Sequence, residues 1–203
     1  MRNNKESKMR AQLDRFARPT AGTLRREIAR HERMESYGKL ALGVLGSLVV
    51  VAAAIVLVTN LWLAVLTVDG TSMSPLLEMN EIVLVVRKGE PARNDVIAFT
   101  HSDKIYIKRV IGAGGDQVEI REDGIVAVNG RTLNEPYAAE LCRGNCDIEF
   151  PYQAPAETFF VMGDNRSASM DSRDSRFGPV SREQIVGRVT FRLWPLSRIG
   201  RVS

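Results

Sequence analysis

Histidine is nearly absent from this chain of 203 residues, which carries only His31 and His101. A serine–histidine–acid triad needs an imidazole beside its nucleophile. His31 lies in a charged N-terminal stretch, and His101 sits in H-S-D between two strand signals, where a surface turn residue is the ordinary reading. Cysteine is as scarce, with Cys142 and Cys146 in C-R-G-N-C. Two thiols with no histidine nearby make a weak zinc site, and a disulfide across so short a loop is a local clamp of modest entropic value. Also missing are H-E-x-x-H, a P-loop and a dinucleotide fingerprint, so no motif requires a metal or another cofactor. No internal repeat or low-complexity segment is evident.

What the chain does have is one long apolar run. At 26% charged and 44% hydrophobic residues, the composition suits one compact domain plus an appendage. From Leu40 to Thr59 twenty residues carry no charge. At about 1.5 Å per residue such a helix crosses a bilayer core of about 30 Å. A cleaved leader would have an apolar region of roughly 7–15 residues and end at a small-residue site. Residues 40–60 are therefore expected to be a transmembrane helix, with a basic tail over 1–39 and an extracytoplasmic domain over 61–203. The tail has eleven Lys/Arg against five Asp/Glu, or +6 of the chain's net +4, which leaves −2 for the remainder. The positive-inside tendency puts the N-terminus in the cytoplasm and everything after Asn60 outside. A basic tail can also bind nucleic acid, but no recognition motif supports that partner here. Its expected role is topology and contact with anionic lipid heads, with Leu24, Ile28 and Met34 on one side of a charged helix. Cys142 and Cys146 fall on the outer side, where a disulfide can persist.

After Asn60 the apolar run gives way to short segments separated by turns, the pattern of an all-β domain. The expected strands are Leu63–Val68, Ile82–Arg87, Val96–Thr100, Ile105–Ala113, Gln117–Arg121, Ile125–Val128, Thr158–Met162 and Ile185–Leu193. Turn signals such as R-N-D, A-G-G-D and V-N-G-R lie between them. The segment from about 114 to 158 is richer in turns and reads as a smaller β-rich insertion on an antiparallel core. In Ile105–Val110 the alternation puts Lys108 on one face with Tyr106 and Val110, among apolar neighbours, and Arg109 on the other.

Four blocks carry chemistry: V-D-G-T-S-M-S-P-L-L, N-D-V-I-A-F, Y-I-K-R-V-I-G-A-G-G-D-Q-V and G-D-N-R-S-A-S-M-D-S-R. A serine hydroxyl is a poor nucleophile at neutral pH and needs a base within hydrogen-bond reach. A lysine can be that base only when unprotonated, and burial is known to lower its pKa from about 10.4. Ser72 and Lys108 are the candidates for these roles. Gly70 lets backbone approach the substrate, and the Ser72 amide is a natural oxyanion donor.

Taken in this order after one apolar span, the blocks resemble type I signal peptidase, the bacterial leader peptidase, in its Gram-positive-like form. The resemblance runs from about Leu61 to Gly200. It implies a membrane-bound serine endopeptidase with an antiparallel β core and a smaller β-rich cap, in the bacterial cell membrane. Ser72 matches the nucleophile, Lys108 the general base, and Ser169 the hydroxyl that orients the lysine amine. Arg109, Asp164, Asp171 and Arg173 match charged residues that support the site. Val68, Leu77 and Ile107 match positions that wall shallow pockets for small side chains. Some family members have serine at the Gly70 position, and this chain lacks that hydroxyl. The implied substrates are exported preproteins cut after small-x-small (A-x-A) sites, bound as an added strand. The implied surroundings are the lipid bilayer, with Trp62 and Trp194 at its interface, and the protein-export translocon. The rival readings are a self-cleaving repressor-type protease, whose DNA-binding segment is absent, and a catalytically silent tethered β domain that binds exported or pilus proteins.

Overall fold

The computed structural model describes residues 7–10 and 21–202. Its contacts divide the chain into two units, one ending at Val56 and the other beginning at Leu57. A long α-helix, α1, runs over Ala21–Trp62 for 42 residues. Its stretch Lys39–Leu57 is the one helix among the described residues long and apolar enough to cross a membrane. The helix expected in the charged tail and the one expected from residue 40 are continuous, because Leu24–Glu35 is made largely of strong helix formers with no proline. Leu61 and Trp62, beyond the expected end of the helix at residue 60, close α1.

Twelve strands follow. They are β1 Leu63–Thr67, β2 Ile82–Val86, β3 Val96–His101, β4 Lys104–Ala113, β5 Gln117–Ile120, β6 Val126–Val128, β7 Arg131–Thr132, β8 Tyr152–Gln153, β9 Thr158–Met162, β10 Val180–Ser181, β11 Ile185–Trp194 and β12 Gly200–Arg201. The larger sheet has the order β1-β2-β11-β3-β4-β9-β10, with β12 on β11, and all its recorded pairings are antiparallel. The smaller sheet, β7-β6-β5-β8, is built within the turn-rich segment.

Alternation decides which face each strand buries. In β2 Val83 and Val85 point inward, and in β5 Val118 and Ile120 do. One core collects Val68, Met73, Leu77, Val83, Val85 and Val189 beneath one part of the larger sheet. A second gathers Ile97, Phe99, Val110 and Phe177. In the third, Ile111, Phe160 and Met162 of the larger sheet pack on Val118, Ile120 and Val126 of the smaller one.

Two features of β4 matter for the site. Its partner β9 reaches only as far as the Arg109↔Met162 pair, so Lys104–Lys108 is paired on one side by β3 and has no strand partner among the described residues on the other. Along the same strand burial rises from exposed Lys104 to buried Val110. Lys108 therefore stands where an open strand edge enters the core.

Candidate active site

Ser72 lies in the connection between β1 and β2. The connection is closed at its base by Val68 N–H donating to Glu81 O at 2.8 Å and Asn80 N–H donating to Val68 O at 2.9 Å. Within it Ser74 N–H donates to Thr71 O at 3.1 Å and Leu77 N–H to Met73 O at 2.9 Å. Met73 and Leu77 sink into the first core, which anchors the backbone on both sides of Ser74 and leaves Ser72 half-buried. Gly70 has φ +96°, in the region that favours glycine, and open space where a Cβ would stand. The Ser72 amide makes no hydrogen bond among the described residues.

The Lys108 amine donates to Ser72 Oγ across 2.6 Å. Lys108 is only 3% exposed. Burial pushes its pKa down from the ordinary 10.5 to about 8; Asp171 opposes that shift, Arg173 reinforces it, and Asp164 opposes it. Once the ammonium loses its proton, the same 2.6 Å contact lets the hydroxyl donate to the amine, which is the arrangement that activates a serine.

Arg109, next along β4, pairs with Asp164 through two bonds, Nε to Oδ1 at 2.8 Å and Nη2 to Oδ2 at 2.7 Å. It also covers the Tyr137 ring at 3.9 Å. Burial raises the Asp164 carboxyl above its ordinary value, against the pull of Arg109. Asp171 pairs not with Arg109 but with Arg173, at 2.7 and 2.8 Å, and accepts the Gly163 N–H at 3.0 Å. Arg173 in turn donates to the carbonyls of Arg143 and Arg166, at 2.8 and 2.9 Å. These buried pairs fix the G-D-N block, and Asn165 N–H donates to Ser72 O at 3.0 Å.

Several expectations are corrected. Ser169, expected to orient the lysine amine, is buried beside Gly163, but among the described residues its hydroxyl has no hydrogen-bond partner and makes no bond to Lys108. Leu77, expected to wall a substrate pocket, is fully buried in the core because its turn bond to Met73 directs it inward. Cys142 and Cys146, candidates for a disulfide, are free thiols. Each faces its own acceptor, Glu140 Oε1 at 3.6 Å and Ile148 O at 3.9 Å.

Val68 and Ile107, by contrast, do line a cavity of about 570 Å³ that also takes in Leu66, Gly70, Ser72 and Ile105. The cavity runs along β1 and the unpaired part of β4. His101 stacks on Phe177 at 4.4 Å, in an aromatic cluster with Tyr106. Among the described residues, no group of three or more His, Cys, Asp or Glu is placed to hold a metal ion.

Gly163, within G-D-N-R, carries no chemistry in the sequence pattern but fixes the packing beneath the nucleophile. A Cβ on Gly163 would collide with Ser169 Oγ and sit 2.5 Å from the Ser72 carbonyl oxygen. The glycine of G-D-N-R lets that block pack directly under Ser72.

An open strand edge, a trough of mixed polar and apolar lining along it and a hydroxyl–amine pair at its inner end can together take an extended peptide and cleave it. The family described as "Signal peptidase, peptidase S26" matches residues 41–194. Signal peptidase I S of Bacillus subtilis (strain 168) is 35% identical over 169 residues, 77% of this chain and 91% of that protein. Signal peptidase I of Bacillus caldolyticus is 38% identical over 148 residues, 64% of this chain and 79% of that protein. A crystal structure of a signal peptidase I from Enterococcus faecalis V583 aligns with TM-score 0.43 and 30% identity, covering 50% of this chain and 98% of that one. The chain belongs to the signal peptidase family, peptidase S26, and is thus a peptidase.

Proposed function

We propose that this chain is a membrane-anchored serine endopeptidase that removes N-terminal signal peptides from exported preproteins, with Ser72 as nucleophile and Lys108 as general base. The observation that carries the reading is the 2.6 Å contact between Lys108 and Ser72 at a lysine whose pKa burial has lowered to about 8. The neutral amine takes the Ser72 proton as Oγ attacks the scissile carbonyl. The resulting oxyanion has the free Ser72 amide as its donor. The lysine ammonium then protonates the leaving amine, and the acyl-enzyme is released by water that Lys108 deprotonates in turn.

The substrate lies along the unpaired edge of Lys104–Lys108 as an added strand. Small side chains at alternate positions settle against Val68 and Ile107, which gives the preference for small-x-small sites. The span within α1 anchors the enzyme with its N-terminus in the cytoplasm, as the basic tail favours. Cleavage then takes place at the outer membrane–water boundary, where signal peptides end.

The test is cleavage of a purified preprotein in liposomes by the wild type, Ser72→Ala and Lys108→Ala, with the cut mapped by mass spectrometry. A cut after a small-x-small sequence by the wild type, and none by the two folded variants, is the expected result. A folded wild type inert on several preproteins would favour a silent, tethered binding domain instead.

A further inference from the structure

Glu81 immediately precedes β2 and is 3% exposed, with its carboxylate between two guanidinium groups. Arg192 Nε lies 2.9 Å from Oε2, and Arg198 Nη1 lies 2.8 Å from Oε1. Neither arginine stops at Glu81. Arg192 Nη2 donates to the Leu76 carbonyl, and Arg198 Nη2 donates to the Pro75 carbonyl at 3.2 Å. These carbonyls stand three and four residues after Ser72. On the other flank, the Glu81 backbone oxygen accepts the Val68 N–H, four residues before Ser72. Glu81 thus ties down the Ser72 connection at both ends, by its own backbone on one side and through two arginines on the other. The middle is held by the Asn165 N–H on Ser72 O, by the turn bonds at Ser74 and Leu77 and by Met73 and Leu77 in the core.

We propose that Glu81, Arg192 and Arg198 form a positioning clamp that sets the place of Ser72 Oγ relative to the Lys108 amine. The clamp touches neither the reacting atoms nor the cavity along β4. It deepens the peptidase reading and rests on it. Each element has a distinct job. A buried carboxylate needs compensating charge, which the two arginines supply. Arg192 serves two partners from one planar group: Nε lies within ion-pair range of the Glu81 carboxylate without hydrogen-bond geometry, and Nη2 donates to Leu76 O. A lysine can restore the charge, but its donors all sit on one nitrogen and lack the separated Nε and Nη2 with which the guanidinium faces the carboxylate and the Leu76 carbonyl together. Because a displacement of about 1 Å between reacting groups can cost about 10²-fold in rate, releasing the carbonyls shows mainly in kcat. Lys108 and its charged neighbours Asp171, Arg173 and Asp164 are untouched, so the pH at which activity rises does not move.

The experiment uses the full chain in detergent micelles with a purified preprotein, comparing wild type, Arg192→Ala, Arg192→Lys, Arg198→Ala and, as the inactive control, Ser72→Ala. Activity is expressed per folded molecule, with the folded fraction read from tryptophan fluorescence. Arg192→Ala is expected to lower kcat on the order of 10²-fold with KM within about twofold and an unchanged acid limb. Arg192→Lys should recover folding but only a small part of kcat. Arg198→Ala, whose side chain is 41% exposed, should fold and lose about tenfold or less. The clamp is overturned if Arg192→Lys restores full kcat, or if Arg198→Ala and folded Arg192→Ala keep wild-type kcat while only melting earlier. If the wild type shows no cleavage that Ser72→Ala abolishes, the peptidase reading itself fails, and this inference fails with it.

Discussion

Replacing Lys108 by methionine should abolish cleavage and yet make the protein more stable at neutral pH. The folded-state pKa of Lys108 is about 8 against an ordinary 10.5, a gap worth about 3 kcal/mol at 1.36 kcal/mol per unit. With the folded value depressed, the unfolded chain holds a proton that the folded chain lacks between pH 8 and 10.5. Wild-type stability therefore rises with pH across that window, and below pH 8 the fold carries the full penalty of a buried ammonium. Methionine has nearly the same length and no charge to bury. It leaves the Ser72 hydroxyl without its partner, a pH-independent cost of about 1 kcal/mol. The difference between variant and wild type should thus be a gain of about 2 kcal/mol at pH 7 and a loss of about 1 kcal/mol above pH 10.5. Urea unfolding of the full chain in micelles, followed by tryptophan fluorescence at the two pH values, measures that swing. An effect of the same sign and size at both would mean that Lys108 titrates near its ordinary value, and the reasoning from burial would be wrong.

Two other substitutions probe the surroundings of the pair. Asp171→Asn removes a negative charge that raises the Lys108 pKa and leaves Arg173 uncompensated, so the acid limb of the pH–rate profile should move below pH 8. Breaking that buried pair should also cost about 3–5 kcal/mol in urea unfolding, and a limb that stays in place would contradict the electrostatic account. Gly163→Ala pushes against Ser169 Oγ and the Ser72 carbonyl, so kcat on a preprotein should fall on the order of 10²-fold, whereas a rate within twofold of wild type would show that the packing yields without moving the nucleophile.

The long strands were legible because their signals are strong and local. Alternating valines mark β2, and Thr158–Met162 was read with its boundaries correct. The two-residue strands β7, β8, β10 and β12 were not legible, since so short a pairing has no period of its own and depends on a partner distant in sequence. Motif spacing selected Ser72 and Lys108, which the fold brings to 2.6 Å across 36 positions. The choice of partner for each arginine could not be read in this way. Asp164 and Asp171 are equally plausible for Arg109 on paper, and the pairing of β4 with β9 decides for Asp164. Glu81, Arg192 and Arg198 gave no signal at all, because a lone glutamate at a strand start and arginines over 100 positions away resemble ordinary surface charges until the fold buries the glutamate.

The most direct test of the serine–lysine assignment is the dependence of kcat/KM on pH between 6 and 10, measured with the wild-type chain on a purified preprotein. With Lys108 as the base, the rate should climb about tenfold per unit up to a midpoint near pH 8 and level off above pH 9. A profile already flat at pH 7, or one with its midpoint near the ordinary lysine value of 10.5, would contradict it.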